Sequence, residues 1–151
     1  MPADRPPANP LSAPLARVDH THQHRVRFRE CDPMGVVYHA HCIDWFEAAR
    51  TEGLRTLGRT YREMQDGGTS MPVLDLGASY LRPLYYDDLI EVDVMWTLND
   101  SRTRIRFDYR VRRSGDETIC IGGHVTLCFV DAGRGRPVRA PQELVDLVAT
   151  P

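Results

Sequence analysis

Lysine is absent from this chain: all 19 basic residues among its 151 are arginine. A phosphate-loop lysine, a Schiff-base lysine and a Ser-Lys dyad are therefore excluded, because each needs an ε-amine. The chain also lacks a Gly-x-Ser-x-Gly elbow, a Gly-x-Gly-x-x-Gly loop and a Cys-x-x-Cys pair. Chemistry must then rest on Asp, Glu, His, Cys, Ser or backbone groups. No apolar run approaches the roughly 20 residues of a membrane span, and the Pro- and Ala-rich start holds no signal-peptide core. With a net charge of −2 there is no global bias toward nucleic acid. Cys31, Cys42, Cys120 and Cys128 read as reduced thiols of a cytoplasmic protein.

What is present is concentrated in Asp32 to Arg50. Here an acid in a Pro/Gly loop feeds an amphipathic helix whose start carries no Ser, Thr, Asp or Asn cap. Such a start leaves backbone N–H groups facing forward, where they attract anions and polarise carbonyl oxygens. A carboxylate beside free donors could attack an acyl group and hold the resulting oxyanion.

The length predicts one domain. Residues 1–20 are expected to be a disordered leader and 21–151 the folded unit. Alternation over His24 to Arg29 predicts a first strand. A helix is expected over Ala40 to Leu57, with Cys42, Trp45, Phe46, Ala49, Gly53 and Leu57 on one face and Gly58 as its stop. Tyr61 to Ser70 is a polar, partly helical connection. Strands follow over Val73–Arg82, Leu89–Leu98, Thr103–Arg113 and Glu117–Val130, with hairpin turns at Asn99-Asp100 and Ser114-Gly115-Asp116. Gly122-Gly123 suggests a bulge or a close approach, and Pro141 to Val148 a short terminal helix. One helix of about 18 residues, roughly 27 Å long, could cover the apolar face of such a sheet. The class is α+β, a curved antiparallel sheet wrapped around one central helix.

The run Val26-Arg27-Phe28-Arg29-Glu30-Cys31-Asp32-Pro33-Met34-Gly35-Val36-Val37-Tyr38-His39 resembles the hotdog-fold acyl-CoA thioesterases. Specifically, it is similar to their 4-hydroxybenzoyl-CoA thioesterase and YbgC-like branch. Phe46 to Arg50 and Tyr80-Leu81-Arg82-Pro83 through Ile90 continue the likeness. The resemblance implies an acyl-CoA substrate and no metal or redox cofactor. It makes Asp32 the catalytic carboxylate and places the thioester oxygen at backbone N–H groups near Tyr38 and His39. It also implies edge-to-edge homodimers, and tetramers built from them, with sites at the subunit interface. One position departs: Cys42 stands where YbgC-like members carry Tyr.

Each candidate has a plain structural alternative. Asp32 before Pro could be an ordinary turn residue. Gly35 would let backbone approach the thioester, and Val36 to His39 would supply the oxyanion donors. The His39 ring could orient substrate. Glu47 reads as an i, i+3 partner of Arg50 rather than a catalytic acid. Cys31 and Cys42 read as core or bystander thiols, since the charge of Asp32 works against a Cys31 thiolate. His20, His22 and His24 share a strand face that reads as solvated, and His124 as an ordinary strand histidine. Among the arginines Arg102, Arg104, Arg106, Arg110 and Arg112, Arg102 is the first candidate for the phosphates of coenzyme A, with Arg82 and Arg104 behind it. An acyl-carrier-protein thioesterase and a non-catalytic acyl-CoA-binding module remain as rival readings.

Overall fold

The computed structural model describes residues 9–149. A 3-10 turn at Pro10–Ser12 precedes β1 (His20–Arg25), and a second at Phe28–Glu30 leads into α1 (His41–Thr56) and α2 (Tyr61–Asp66). Then come β2 (Thr69–Ser70), β3 (Val73–Tyr80), β4 (Leu89–Leu98), β5 (Arg104–Arg113), β6 (Ile119–Cys128), β7 (Val130–Asp131), β8 (Arg136–Pro137) and α3 (Gln142–Ala149). Five strands form an antiparallel sheet in the order β1-β4-β5-β6-β3, and β2, β7 and β8 form a small second sheet.

The alternation seen in the sequence builds the large sheet. Ile90, Val92, Val94, Trp96, Ile105, Phe107, Tyr109 and Val111 are all buried. The β4–β5 turn is fixed by Asn99, whose Oδ1 accepts from the Thr103 and Arg104 N–H groups at 2.9 Å each. Helix α1 lays Trp45, Phe46, Ala49 and Gly53 on this layer, and Phe46 stacks on Tyr109 with ring centroids 4.2 Å apart. Gly123 lets the helix come close: a Cβ there would lie 2.7 Å from the Phe46 ring. At its end Gly58 turns left-handed (φ +93°), and the Gly58 and Arg59 N–H groups bond the Arg55 and Leu54 carbonyls. This is the Schellman stop expected at that glycine.

Several expectations are corrected. The first strand lies at His20–Arg25, not His24–Arg29, because Glu30 accepts the Arg27 N–H at 2.7 Å and curls Phe28–Glu30 into a turn. His20, His22 and His24 are not a solvated face; they are half-buried toward α1, with His24 5.4 Å from the Trp45 ring. The close approach at Gly122-Gly123 is real, but the bulge sits at Cys120, between the pairs Val111↔Ile121 and Arg112↔Ile119. Glu47 is exposed and makes no ion pair with Arg50 among the described residues. Arg50 is only 8 % exposed and donates from Nε to the Tyr61 hydroxyl at 3.1 Å.

One helix does not cover the whole sheet either. It packs on β1 and β4 and reaches β6 through Phe46, leaving β3 largely uncovered, with Val73, Leu74, Leu76 and Tyr80 exposed. Of the expected leader, residues 1–8 lie outside the described residues. Residues 9–19 run over the outer sheet face, where Leu11 covers Gly122, Ala13 O accepts from Arg110 Nε at 2.8 Å and Asp19 accepts the Trp96 N–H at 2.9 Å.

Candidate active site

The loop between β1 and α1 is a short closed excursion. Cys31 bridges Val37, and Val36 bridges Tyr85. At its tip Gly35 takes φ +81° while donating to the Asp32 carbonyl at 2.9 Å. A Cβ at Gly35 would meet nothing within 4 Å. The turn's backbone angle by itself therefore favours glycine at this position. Asp32 Oδ1 accepts the Met34 N–H at 2.8 Å, and its Oδ2 has no hydrogen-bond partner among the described residues. One carboxylate oxygen of Asp32 thus shapes the turn, and the other carries no hydrogen bond among the described residues.

The base of the loop is pinned by Glu30, only 6 % exposed. Its carboxylate accepts from the Arg27 N–H, from His24 Nε2 at 2.8 Å and from Trp45 Nε1 at 2.7 Å. Burial pushes its pKa up, but these hydrogen bonds and the charge of His24 outweigh burial and leave it lowered. The Glu30 carbonyl in turn accepts the Tyr38 N–H at 2.8 Å. This contact changes the expected oxyanion assignment: the Tyr38 N–H is already engaged, whereas the His39 N–H has no acceptor among the described residues. Ala40 is the N-cap of α1 and offers no side-chain cap.

The next carbonyl is held from the far side of the sheet. Tyr80, the last residue of β3, donates its hydroxyl to His39 O at 2.5 Å. Cys42 Sγ lies 3.3 Å from the same oxygen and 3.4 Å from the Tyr80 hydroxyl. Burial raises the Cys42 pKa, with the Tyr80 hydroxyl opposing it. For Tyr80, burial and then Cys42 push the pKa upward, so the phenol keeps its proton. The first α1 turn closes instead through Ile43 N–H to Ala40 O at 3.2 Å.

These elements wall a cleft of about 330 Å³. Of the candidate residues, Asp32, Val36, Val37, Tyr38, His39 and Arg82 line it, and Gly35 shapes the loop beside it. The His39 ring stacks on Tyr38 with centroids 4.2 Å apart and meets Tyr80 edge-on at 6.4 Å. Most other lining groups are apolar, including Leu81, Leu84 and Ile121. Arg102 is not part of it. It lies in the β4–β5 turn at φ +58°, whereas Asp88 and Leu89, at the opposite end of that hairpin of ten-residue strands, adjoin the segment that leads into the Asp32 loop. Sequence reasoning missed Tyr80 and Glu30 as builders of the cleft, whereas Cys42 is buried in the core as one of its expected readings had it; the only signal for Tyr80 was that Leu76, Ala78 and Tyr80 share a strand face.

Chain-wide similarity agrees with this geometry. A family model for the thioesterase-like superfamily matches residues 26–148. The chain belongs to that superfamily. It is 34 % identical over 122 residues to the acyl-CoA thioesterase YbgC of Haemophilus influenzae, covering 80 % of this chain and 87 % of that protein. Among solved structures it is similar to the DHNA-CoA thioesterase from Staphylococcus aureus, with TM-score 0.78 and 26 % identity, covering 85 % of this chain and 87 % of that one. Slr0204, a 1,4-dihydroxy-2-naphthoyl-CoA thioesterase from Synechocystis, superposes with TM-score 0.81 at 16 % identity, covering 87 % and 96 %, a likeness of fold. The chain has the hotdog fold expected from its sequence.

Proposed function

We propose that this superfamily member is an acyl-CoA thioesterase that hydrolyses its substrate at the Asp32 cleft. One observation carries the reading: a carboxylate oxygen without a partner among the described residues and an unengaged His39 N–H face one apolar cleft at an uncapped helix start. The acyl group lies in the apolar part, and its carbonyl oxygen accepts from the His39 N–H. The positive end of α1 favours the negative charge that develops there. Asp32 Oδ2 either attacks the carbonyl carbon or takes a proton from the water that does. In the first route the tetrahedral oxyanion collapses, the C–S bond breaks and CoA leaves as its thiolate. Water then hydrolyses the mixed anhydride, returning Asp32 and the free acid. In the second route the hydroxide adds directly and the same bond breaks.

The protein acts as a homodimer joined through β3. That edge presents Val73, Leu74 and Leu76 to solvent beside the cleft wall that Tyr80 supplies, and strand addition removes both the apolar surface and the open edge. Among the described residues no helix is long and apolar enough to cross a membrane; the four free thiols suit the cytoplasm.

The test is thiol release from short, long, branched and aromatic acyl-CoAs, with Asp32→Asn beside wild type. The variant is expected to lose roughly 10²- to 10⁴-fold in kcat; label entering Asp32 during single-turnover hydrolysis in H₂¹⁸O, or an acyl-enzyme trapped by rapid quench, marks the first route. Full turnover in the variant would remove Asp32 from the chemistry. Binding without turnover in wild type would make the chain an acyl-CoA-binding module.

A further inference from the structure

Along the β1 edge, Arg25, Arg27 and Arg29 alternate through the segment that leaves the strand and curls toward the Asp32 loop. Two grooves adjoin at Arg27 and His24. One, of about 370 Å³, runs between β1 and the first half of α1 and takes in His22, Arg29 and His41. The other, of about 520 Å³, is bordered by Arg25, Phe28 and Tyr86.

Three features set this surface apart. First, two of its three arginines are available. On the sheet, Arg106 pairs with Asp108, Arg112 with Glu91 and Asp93, and Arg113 with Asp88. Among the described residues Arg27 and Arg29 form no ion pair. Second, the nearby carboxylates are engaged: Glu30 by its three donors, Asp44 beside His41 at 3.6 Å and Asp87 beside Arg25 at 3.8 Å. Third, Phe28 is 78 % and Tyr86 58 % exposed, their rings edge-on at 5.7 Å. Full exposure of a phenylalanine next to unpaired guanidinium groups is poor use of an apolar ring unless something flat and anionic covers it.

We propose that this surface binds the 3′-phospho-ADP end of coenzyme A, with the adenine on Phe28 and Tyr86 and the phosphates on Arg27 and Arg29. Guanidinium forks match phosphate oxygens, and a base stacks on an aromatic ring whatever its hydrogen-bonding edge. The prosthetic arm of an acyl carrier protein brings one phosphate and no base, so it would leave the rings uncovered. The position suits a CoA ester. The Phe28–Glu30 turn leads directly into Asp32, and Tyr86 follows Tyr85, which bridges the same loop at Val36. The grooves lie on β1, the opposite sheet edge from β3, and stay open in an edge-to-edge dimer.

This site rests on the thioesterase reading, and the test keeps the two apart. Arg27→Glu/Arg29→Glu and, separately, Phe28→Ala are compared with wild type on an acyl-CoA and on the N-acetylcysteamine thioester of the same acid, which lacks the nucleotide. Binding of 3′,5′-ADP is measured by calorimetry on the same proteins. The preference for the CoA ester is expected to collapse by about tenfold or more in the double variant, mostly through KM, with loss of 3′,5′-ADP binding and a smaller fall for Phe28→Ala. Equal loss on both esters, or an unchanged preference, overturns the site. So does a loss confined to acyl-carrier-protein substrates, which would make the surface a protein dock. Wild type that turns over neither ester yet binds 3′,5′-ADP through these residues sinks the thioesterase reading and keeps the nucleotide site.

Discussion

The two edges of the sheet are built to opposite specifications. On β3 the inward side is apolar and bare: Leu76 pairs with Val125, Ala78 with Gly123 and Tyr80 with Ile121, yet α1 does not reach far enough to cover them. On β1 the inward side carries three histidines under the helix, and the outward side carries Thr21, Gln23 and Arg25. Both edges border the Asp32 loop, one through Tyr80 and one through Glu30. An apolar edge asks for another protein strand, whereas a polar, guanidinium-rich edge discourages one and suits a charged small molecule. On the proposals made above, one sheet would separate assembly from ligand recognition by giving each its own margin.

The largest effect is expected from charging the bare edge. Leu74→Asp with Leu76→Asp would place two carboxylates where an edge-to-edge dimer buries two leucines. At about 1.5–3 kcal/mol for each leucine buried, the dimer should weaken by roughly 10²- to 10⁴-fold. Sedimentation velocity across a concentration series reads this directly. Thr21→Asp with Gln23→Asp, the matching change on β1, should leave assembly as it was. A dimer that survives the first pair and dissolves with the second would exchange the roles assigned to the edges.

Next in size is the contact that carries the β3 edge into the chemistry. The Tyr80 hydroxyl holds the His39 carbonyl and so fixes the peptide at the start of α1. Removing one such hydrogen bond costs about 1 kcal/mol, or roughly fivefold in rate if it serves the transition state. Tyr80→Phe should lower kcat by that factor and leave KM and thermal stability nearly unchanged. A fall in stability with kcat preserved would reduce Tyr80 to a packing residue.

Much of this was legible in the sequence, and the failures share a cause. Leu89–Leu98 matches β4 residue for residue, since period-two alternation is strong there, and Cys42 through Gly53 gave the buried helix face because 3.6-residue spacing is equally direct. That Asp32 and His39 line one cleft follows from their place in one continuous loop. The burial of Arg50 was not, as its partners come from elsewhere: Tyr61 from α2, and Tyr109 from β5, whose buried hydroxyl lies in the field of that guanidinium. Tyr80 meets His39 across 41 residues of sequence. The inward histidines of β1 misled for the opposite reason: polar letters at alternating positions suggest water, yet here all three are half-buried and His24 meets the Trp45 ring. Arg102 lies in the β4–β5 turn, apart from the cleft lining.

The smallest predicted effect separates the edges by pH. Burial lowers the pKa of His22, the charges of His20 and His24 lower it further, and Glu52 opposes them; burial likewise lowers His20, again against Glu52. A depressed imidazole pKa in the folded state means that the unfolded chain takes up protons first as pH falls below about 6.5. The stability contributed by keeping these rings neutral is therefore fully present above that pH and is lost as pH falls toward the folded-state values. The slope cannot exceed about 1.4 kcal/mol per pH unit for each proton, and half-burial keeps it below that limit. Thermal unfolding should thus shift downward by a few degrees between pH 7.5 and 5.5, at roughly 2–4 °C per kcal/mol. His22→Gln should flatten the profile, while Tyr80→Phe on the β3 edge should leave its shape alone. An unaltered slope in His22→Gln would mean that the β1 histidines protonate without opposing the fold, and that the polarity of this edge serves ligand contact without any cost in stability.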